Sequence, residues 1–304
     1  MSFDSEKEVS AIAERKKMKV AILGAESSHA ATFAKILAGK DGSRRYEDVE
    51  LVGFYADKDL SDSEEGIELI RKWSSCDYVT NDYEEFVGKV DAVIITSRHG
   101  SKHLGYARPY LERGIPVWVD KPIANNVSDA LEMVALAKQY DTTVSGGSVL
   151  VTSPEIKELA AYVKENRATV RGGHVTAPIQ MESPYEGFWF YSAHAVQMML
   201  EVFGPGVRRV KAERGKNYVQ AVYVYDEFNV TVYFGTGYTV TLYRTGGQAD
   251  PVKVSTGSSE ELLDEFFEIV RTGHNPQDPA DWIAPVVLVD ATIRAYETGE
   301  WMEL

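Results

Sequence analysis

Two groups of polar, titratable side chains each follow a short apolar segment near the middle of the 304-residue chain. The first group comprises Arg98, His99, Lys102 and His103, and the second is the tripeptide Asp120-Lys121-Pro122. The segments that precede them, 92–95 and 117–119, are β-branched and short enough to be strands buried on both faces of a parallel sheet. Since ligands of such sheets bind beyond the carboxyl ends of the strands, we expect both groups at one binding site, where imidazole and ammonium groups can transfer protons.

The residues between the two groups predict the connection that positions them. A helical segment, 103–113, follows the loop, and Gly114 stands where a left-handed residue ends a helix. A strand, a helix and a strand in this order form a βαβ unit, which implies parallel neighbouring strands and a right-handed crossover.

A second candidate site is the turn after the first predicted strand, 19–23. Its residues are Gly24, Ala25, Glu26, Ser27, Ser28 and His29, and an apolar-periodic helix follows. A strand, a glycine turn and a helix present backbone N–H groups and a positive helix end to a pyrophosphate. The dinucleotide fingerprint Gly-x-Gly-x-x-Gly is incomplete, because Glu26 and His29 replace its second and third glycines. Two alternatives remain: a shorter turn in which Ser27 or Ser28 caps the helix and contacts the ligand, or a plain capped turn without a cofactor.

The second predicted strand, 51–56, ends in Asp57, which can accept hydrogen bonds from both ribose hydroxyls of an adenosine and so favours NAD over NADP. Lys58 follows directly and can instead meet a 2′-phosphate. The loop 39–48 accounts for a longer spacing from Gly24 than the usual one of about 20 residues. The alternative is that Asp57 is the N-cap of the next helix.

The segment DAVIIT, the histidine-bearing loop and the run LERGIPVWVDKPIA resemble the second half of the cofactor domain of the glucose-fructose oxidoreductase / inositol dehydrogenase / MocA-like (Gfo/Idh/MocA) family. Asp120-Lys121-Pro122 is an acidic variant of its Glu-Lys-Pro signature. The resemblance implies that Lys121 lies beside the nicotinamide and the substrate. It also implies cofactor contacts for Thr96, Ser97, His103, Asp120 and Pro122. For His103 helix capping is an alternative, and for Lys121 a surface position at a strand end.

The same family carries an Asp-x-x-x-His element on a helix of its second domain, and its histidine is the usual acid/base. His194 matches the histidine before a predicted helix, 195–203, but Phe190 stands at the aspartate position. The missing carboxylate leaves His194 unassisted unless Glu182, Glu186 or Tyr191 replaces it. Tyr191 is a candidate proton donor, and the aromatic cluster 188–191 suits the apolar face of a sugar ring. The alternative for His194 is helix capping or a bond to a backbone carbonyl.

The pattern along the chain predicts an α/β protein in two parts: a Rossmann domain with a doubly wound parallel sheet over 1–150, and an α+β domain with a large open, mainly antiparallel sheet over 151–304. In the first part we predict helices at 6–16, 67–73, 83–87 and 129–140, the last capped by Ser128, and strands at 78–79 and 142–145. In the second we predict helices at 154–165, 260–271 and 280–298, and strands at 173–181, 208–213, 218–225, 229–234 and 238–243. Hairpin turns at 226–227 and 235–237 would make the last strands a meander.

Composition limits the class of protein. The net charge of −14 argues against nucleic acid and anionic membrane partners, and no apolar run approaches a membrane span. A single cysteine excludes a disulfide framework and a cysteine-based metal site, and favours a cytoplasmic location. His99 and His103 are four residues apart, but no carboxylate nearby completes a site, so we expect no metal.

These observations predict an NAD(P)-dependent oxidoreductase, a dehydrogenase that acts on a hydroxyl or carbonyl of a sugar- or polyol-like molecule. The family resemblance implies a homodimer or homotetramer that forms through the C-terminal sheet. The alternative is a non-catalytic sensor that binds a dinucleotide or small molecule on the same fold, because Glu26 and Phe190 each weaken one half of an active site.

Overall fold

A six-stranded parallel sheet organises the first half of the computed structural model, which describes residues 17–248 and 250–304. The predicted helix at 6–16 lies outside the described residues. The strands are β1 (Met18–Leu23), β2 (Val49–Tyr55), β3 (Val79–Thr80), β4 (Ala92–Ile95), β5 (Val117–Asp120) and β6 (Val144–Gly147). Their order is β3-β2-β1-β4-β5-β6, so the chain reverses direction across the sheet between β1 and β4. This switch point is where doubly wound sheets bind ligands.

Helices cover both faces of this sheet, which explains the uninterrupted apolar character of its central strands. The helices are α1 (Ser28–Ala38), α2 (Ser63–Trp73), α3 (Gly100–Leu111) and α4 (Val127–Gln139). Every residue of β4 and β5 is buried. Trp118 of β5 packs edge-on against Phe33 of α1 at 5.1 Å between ring centres. Both strands therefore present residues to a helix layer on each side.

A second, eight-stranded sheet follows. The elements after β6 are α5 (Pro154–Asn166), β7 (Val170–Ala177), α6 (Phe188–Phe203), β8 (Arg209–Arg214), β9 (Val219–Val224), β10 (Asn229–Phe234), β11 (Thr239–Arg244), β12 (Gly247–Gln248), β13 (Val252–Lys253), α7 (Ser259–Thr272), α8 (Pro279–Thr298) and β14 (Met302–Glu303). The order is β12-β11-β7-β10-β9-β8-β14, and β13 pairs with β11. All pairs are antiparallel except β7 with β10. The predicted fold class is confirmed.

The predicted meander is wrong at one turn. β9 and β10 form the expected hairpin around 226–227, but β10 does not pair with β11. β7 lies between them, and the N–H groups of Gly235 and Thr236 donate to the Ala177 carbonyl at its end. Segment 235–237 therefore connects strands across β7. The sequence does not reveal this, because β7 belongs to the same sheet from about fifty residues earlier in the chain.

Two local predictions in the first half are also wrong. Segment 83–87 forms turns instead of a helix. Helix α4 begins at Val127, and its cap is Asn126, whose side chain accepts a hydrogen bond from the Asp129 N–H at 2.8 Å, rather than Ser128.

The C-terminal helices return to the first sheet. Phe266 and Phe267 of α7 belong to the core between the sheet and α1, and Trp282 and Val286 of α8 belong to the core on the opposite face. The two sheets are thus joined by apolar packing, while the division of the chain at residue 150 stays a prediction. Among the described residues, no helix is long and apolar enough to cross a membrane.

Candidate functional site

The turn between β1 and α1 requires glycine at its first position. Gly24 has φ +107°, and a Cβ there would lie 2.3 Å from the Ser97 nitrogen. The Thr96 hydroxyl donates to the Gly24 carbonyl at 2.9 Å, so the end of β4 holds this turn in close contact. Ser27 caps α1 by accepting from the His29 N–H at 3.2 Å, and Ser28 is exposed at the start of the helix.

Glu26 does not project into the space above this turn. Its side chain is 2% exposed, and Oε1 accepts hydrogen bonds from the Ser97 hydroxyl at 2.7 Å and from the Arg98 N–H at 3.2 Å. Oε2 has no hydrogen-bond partner among the described residues. The glutamate that replaces the second glycine of the fingerprint thus joins the ends of β1 and β4 and leaves one buried acceptor atom.

His29, at the third glycine position, reaches across the sheet to Asp120 at the end of β5. Its Nδ1 lies 2.5 Å from Asp120 Oδ2, and the Asp120 side chain is almost fully buried. Burial acts to raise the pKa of Asp120, but the charge and hydrogen bond of His29 and the charge of Lys121 outweigh it and hold the pKa below its ordinary value. This contact connects the glycine turn to the Lys121 region, which the sequence motifs treat as separate.

Asp57 lies at the end of β2, but most of its acceptor capacity is used. Oδ2 accepts from the Lys102 ammonium at 2.7 Å and from the Tyr106 hydroxyl at 3.0 Å, and Oδ1 accepts from the Asp59 N–H at 3.0 Å. Because a carboxylate has about four acceptor positions, Asp57 can take one ribose hydroxyl rather than both. It is not a helix cap, since α2 begins after Asp62.

Lys58 is exposed and lines a groove of about 640 Å³ at the carboxyl ends of β2 and β3. Lys102, one turn into α3, is the cation that contacts Asp57. Of the two lysines, Lys58 is exposed and Lys102 is paired with Asp57.

His103 is fully buried and links two loops. Its Nε2 lies 2.9 Å from the Ser97 carbonyl oxygen and its Nδ1 lies 3.1 Å from the Ile123 carbonyl oxygen. It occupies the first turn of α3 without capping it, which excludes the capping alternative. His103 thus fixes the ends of β4 and β5 relative to each other and has no surface for a ligand.

Lys121 is buried at the end of β5 beside aromatic rings from α6. Its Nζ lies 4.3 Å from the Phe190 ring centre and 5.7 Å from that of Tyr191. Burial lowers the pKa of the Lys121 ammonium; the Asp120 carboxylate opposes this effect and the Arg98 guanidinium adds to it. Pro122 is buried next to it, after a cis peptide bond. The surface-lysine alternative is therefore excluded, and a cation–π contact stands where the family pattern has a carboxylate.

His194 lies inside α6, which begins at Phe188 rather than at Ala195 as predicted. Its Nδ1 lies 2.6 Å from the Ser148 hydroxyl. Burial, together with the charges of Lys121 and His29, holds the pKa of His194 well below its ordinary value of 6.5. The imidazole is thus neutral at neutral pH, and it neither caps the helix nor bonds to a backbone carbonyl.

Neither glutamate that could have replaced the missing aspartate reaches His194. Glu182 is exposed and lies 3.8 Å from Arg214. Glu186 accepts hydrogen bonds from the backbone and side chain of Ser101. Of the three residues considered as replacements for the aspartate, Tyr191 lies closest to His194, with 6.3 Å between the ring centres. The residue that holds the imidazole is Ser148.

The parallel sheet and its loops match a known family. The family model described as "Oxidoreductase family, NAD-binding Rossmann fold" (Gfo/Idh/MocA) matches residues 18–148. Residues 18–148 are thus similar to the cofactor domain of the Gfo/Idh/MocA oxidoreductase family. Among curated proteins, none matches the chain.

Several solved structures share the fold of both halves. GenD2 from gentamicin A biosynthesis, solved in complex with NAD, has a TM-score of 0.78 at 16% identity, over 95% of this chain and 97% of its own. Myo-inositol 2-dehydrogenase from Lactobacillus plantarum has a TM-score of 0.75 at 13% identity, over 95% and 100%. A myo-inositol dehydrogenase from Corynebacterium glutamicum has a TM-score of 0.74 at 16% identity, over 95% and 99%. At these identities the similarity shows the fold.

The turn between β1 and α1 fits a dinucleotide. Gly24 forms a cradle that a Cβ would fill, and the N-terminus of an eleven-residue helix follows it at the switch point of the sheet. Glu26 is turned into the loop, so its side chain leaves the space above the turn open. No group of three or more metal-binding side chains is found in the part of the chain that the structure describes.

Sequence reasoning missed two residues of the site. Ser148 holds His194, and its only sequence signal is its position after Gly146-Gly147 at the carboxyl end of a predicted strand. Tyr106 donates to Asp57 from within α3. Its spacing from Lys102, one helical turn, places both on one helix face, and this signal was available in the sequence.

Proposed function

We propose that the protein is an NAD(P)-dependent dehydrogenase that transfers hydride between a nicotinamide and a hydroxyl or carbonyl group of a sugar- or polyol-like molecule. The observation that carries the proposal is the meeting of Lys121, from the end of β5, with Tyr191 and His194 of α6. A polarising cation and a neutral imidazole in one buried cluster supply what proton transfer at a substrate oxygen requires.

The residues proposed to hold the dinucleotide follow the carboxyl edge of the sheet. They are Gly24, Ala25, Ser27, Ser28, His29, Asp57, Thr96, Ser97 and Asp120, with His103 and Pro122 shaping the loops behind them. A bound nicotinamide would supply or accept the hydride. The one acceptor position left on Asp57 supports NAD, and Lys58 and Lys102 leave NADP open as a second cofactor.

Lys121 and His194 divide the work at the substrate oxygen. In its ammonium form, Lys121 donates a hydrogen bond that polarises the oxygen. His194 Nδ1 shares a hydrogen bond with the Ser148 hydroxyl, and in the tautomer that carries its proton on Nδ1 the Nε2 atom is able to take the proton of a substrate hydroxyl. Tyr191 is a second proton carrier next to Lys121. Its ring, with that of Tyr238 at 5.8 Å from the His194 ring, gives the site aromatic surfaces that suit a sugar or polyol.

One observation favours the sensor alternative. Glu26 Oε2, beside the turn that would receive a pyrophosphate, is a buried acceptor that finds no partner in the described part of the chain. A negative charge there disfavours an anion at a helix N-terminus. A protein of this kind would bind a ligand at the same edge of the sheet and have no turnover for Lys121 to support.

Titration with NADH and NADPH, followed by energy transfer from the five tryptophans, tests the cofactor step. We expect one nucleotide to bind with a dissociation constant between about 1 μM and 1 mM, the range of typical KM values. Turnover of a sugar and polyol panel, followed at the nicotinamide absorbance, tests the chemistry. The variant Lys121→Met should keep nucleotide binding and lose at least about a hundredfold in kcat.

The outcomes separate the two functions. No energy transfer from either nucleotide contradicts the dehydrogenase. Binding without turnover on any member of the panel, with Lys121→Met equal to the parent, supports the sensor. Lys58→Ala, a substitution of an exposed residue outside the proton-transfer cluster, should weaken NADPH but not NADH if the 2′-phosphate lies in the groove at β2 and β3.

We also propose a homo-oligomer that forms through the open face of the second sheet. Val222, Val224 and Tyr233 are half-buried there and alternate with core residues along β9 and β10, while the opposite face packs on α6 and α8. Val222→Lys should lower the mass measured by light scattering to that of a monomer. A cytoplasmic location stays a prediction.

A further inference from the structure

A cavity of about 580 Å³ lies beyond the carboxyl end of β6, between α6, α7 and α8. Trp118 and Trp282 give it aromatic surfaces, and Ser145 and Gln197 are part of the same wall. Its volume is that of an ordinary small-molecule site. It is separate from the glycine turn, and none of Lys121, Tyr191 and His194 lines it.

Three residues of this wall carry buried polar atoms that lack a partner. They are Ser145 Oγ, Gln197 Oε1 and Trp282 Nε1. The three residues are 6%, 9% and 2% exposed, and none of these atoms has a hydrogen-bond partner in the described part of the chain. Because buried polar groups are normally paired, their concentration around one cavity points to a ligand with both donors and acceptors.

The wall is also strongly acidic. Its carboxylates belong to Glu201, Glu261, Glu265, Asp278 and Asp281, and its only cation is Lys157. Lys157 is already paired with Glu261. The charge of Lys157 also acts on Glu201 and Glu265, but one ammonium cannot neutralise five carboxylates, and the excess negative charge favours a positively charged occupant.

The carboxyls of α6 and α7 show the effect of this crowding. Burial raises the pKa of Glu201, and repulsion from Glu265 raises it further; burial also raises the pKa of Glu265. Both residues keep exposed surface, so a solute can reach them from solvent. A protonated amine between them would remove the repulsion.

We propose that this cavity is a second ligand site that binds a small hydroxylated organic cation of the amino-sugar class. The ammonium group would lie between Glu201 and Glu265. Hydroxyl groups, which both donate and accept, would pair with Gln197, Ser145 and Trp282, and the carbon face of the ring would pack on the indoles. The site is independent of the proposed hydride transfer, although Ser148 contributes both to its wall and to the contact with His194.

Isothermal titration with glucosamine and with glucose at neutral pH tests this proposal, since the two differ only in the amine. We expect glucosamine to bind one site per chain and glucose to bind at least about tenfold more weakly. The double variant Glu201→Gln/Glu265→Gln should weaken glucosamine by at least about tenfold. Glu268→Gln, on the same helix but outside the wall, is the matched control and should change nothing.

Two further measurements locate the ligand. Lys121→Met should keep glucosamine binding, which separates the cavity from the proton-transfer cluster. Asp281→Asn, a single exposed substitution, should weaken glucosamine by a smaller factor and guards against loss of folding in the double variant. Equal affinity for the two sugars, no heat from glucosamine, or unchanged binding in a folded double variant would overturn the proposal.

Discussion

The two halves of the candidate site depart from the family pattern in opposite ways. At the turn between β1 and α1, glycine positions are filled by Glu26 and His29, so polar groups are added. Between β5 and α6, an aspartate position is filled by Phe190, so a charge is lost. Each added group at the turn gains polar contacts from a neighbouring strand end, whereas at Phe190 an aromatic ring contacts the lysine directly.

This difference shows how a motif can change without losing its geometry. Glu26 and His29 bind the ends of β4 and β5, so the turn is held by side chains as well as by backbone contacts. Phe190 contacts the Lys121 ammonium through its π face but adds no negative charge, so Asp120 is the carboxylate that acts on Lys121. The turn is therefore richer in negative charge and the proton-transfer cluster richer in positive charge than the family pattern implies.

Gly24→Ala should have the largest effect, because it breaks the turn at the one fingerprint glycine it retains. A non-glycine residue at φ +107° costs about 1–3 kcal/mol in backbone strain, and the contact at 2.3 Å from Ser97 adds to it. We expect a lower free energy of unfolding in urea and loss of nucleotide binding.

Gly105→Ala is the control. Gly105 lies in α3, and a Cβ added there would meet open space, so alanine should stabilise the protein by about 1 kcal/mol. Equal stability of the two variants would contradict the structure of the turn.

His194→Asn tests the proton-transfer cluster, the half of the site that is richer in positive charge. The folded pKa of His194 lies below 6.5, so the unfolded chain binds more protons in the window below pH 6.5. The free energy of unfolding therefore decreases as the pH is lowered through this window, by at most about 1.4 kcal/mol per pH unit. Asparagine can still bond to Ser148 but cannot titrate, and its unfolding free energy should depend less on pH in that window.

His174, whose pKa burial also lowers, contributes to the same slope in the parent, so the comparison is between parent and variant. A parental slope in His194→Asn would show that the imidazole is not held neutral.

The sequence predicted most of the parallel sheet because its signals are local. The apolar runs of β4 and β5, and Gly114 after α3, identify the βαβ unit without reference to the rest of the chain. Lys121, at the end of β5, and His194, on α6, are predicted site residues from the family motif, and their assignment stays a prediction. What could not be predicted comes from contacts across long separations. His29 meets Asp120 over 91 positions, and Ser148 meets His194 over 46.

The start of α6 shows the same limit on a local scale. The run 188–191 is aromatic and has a low helix propensity, so the helix was predicted to begin at Ala195. Phe188 packs at 5.0 Å from Phe234 and Phe190 packs on Lys121, and this tertiary burial extends the helix toward its N-terminus. Because α6 begins at Phe188, the residues Phe190, Tyr191 and His194 lie on one helix.

Phe190→Asp should restore the carboxylate of the family pattern. It adds a negative charge to the proton-transfer cluster and so reduces the difference in charge between this cluster and the turn. A carboxylate beside Lys121 favours the ammonium, so the alkaline limb of the kcat/KM profile should move to higher pH. Phe190→Leu is the control. It loses only the cation–π contact, worth about 0.5–2 kcal/mol of stability, and its limb should not move upward. An unchanged limb in Phe190→Asp would mean that Lys121 does not set it.

Glu26→Gln should have the smallest effect and bears most directly on the sensor alternative. Glutamine keeps an acceptor for Ser97 and Arg98 but removes a negative charge at the N-terminal end of α1, where charges are worth about 0.3–1 kcal/mol. Nucleotide affinity should therefore rise by about two- to fivefold, more at low salt than at high salt. Glu47→Gln, away from the turn, is the control.

If Glu26→Gln binds NADH no better than the parent, the carboxylate does not face the cofactor, and the absence of the second fingerprint glycine does not weaken nucleotide binding. If nucleotide affinity falls, Glu26 acts by holding Ser97 and Arg98 in place. The glutamate that replaces the fingerprint glycine would then be a structural part of the cofactor site.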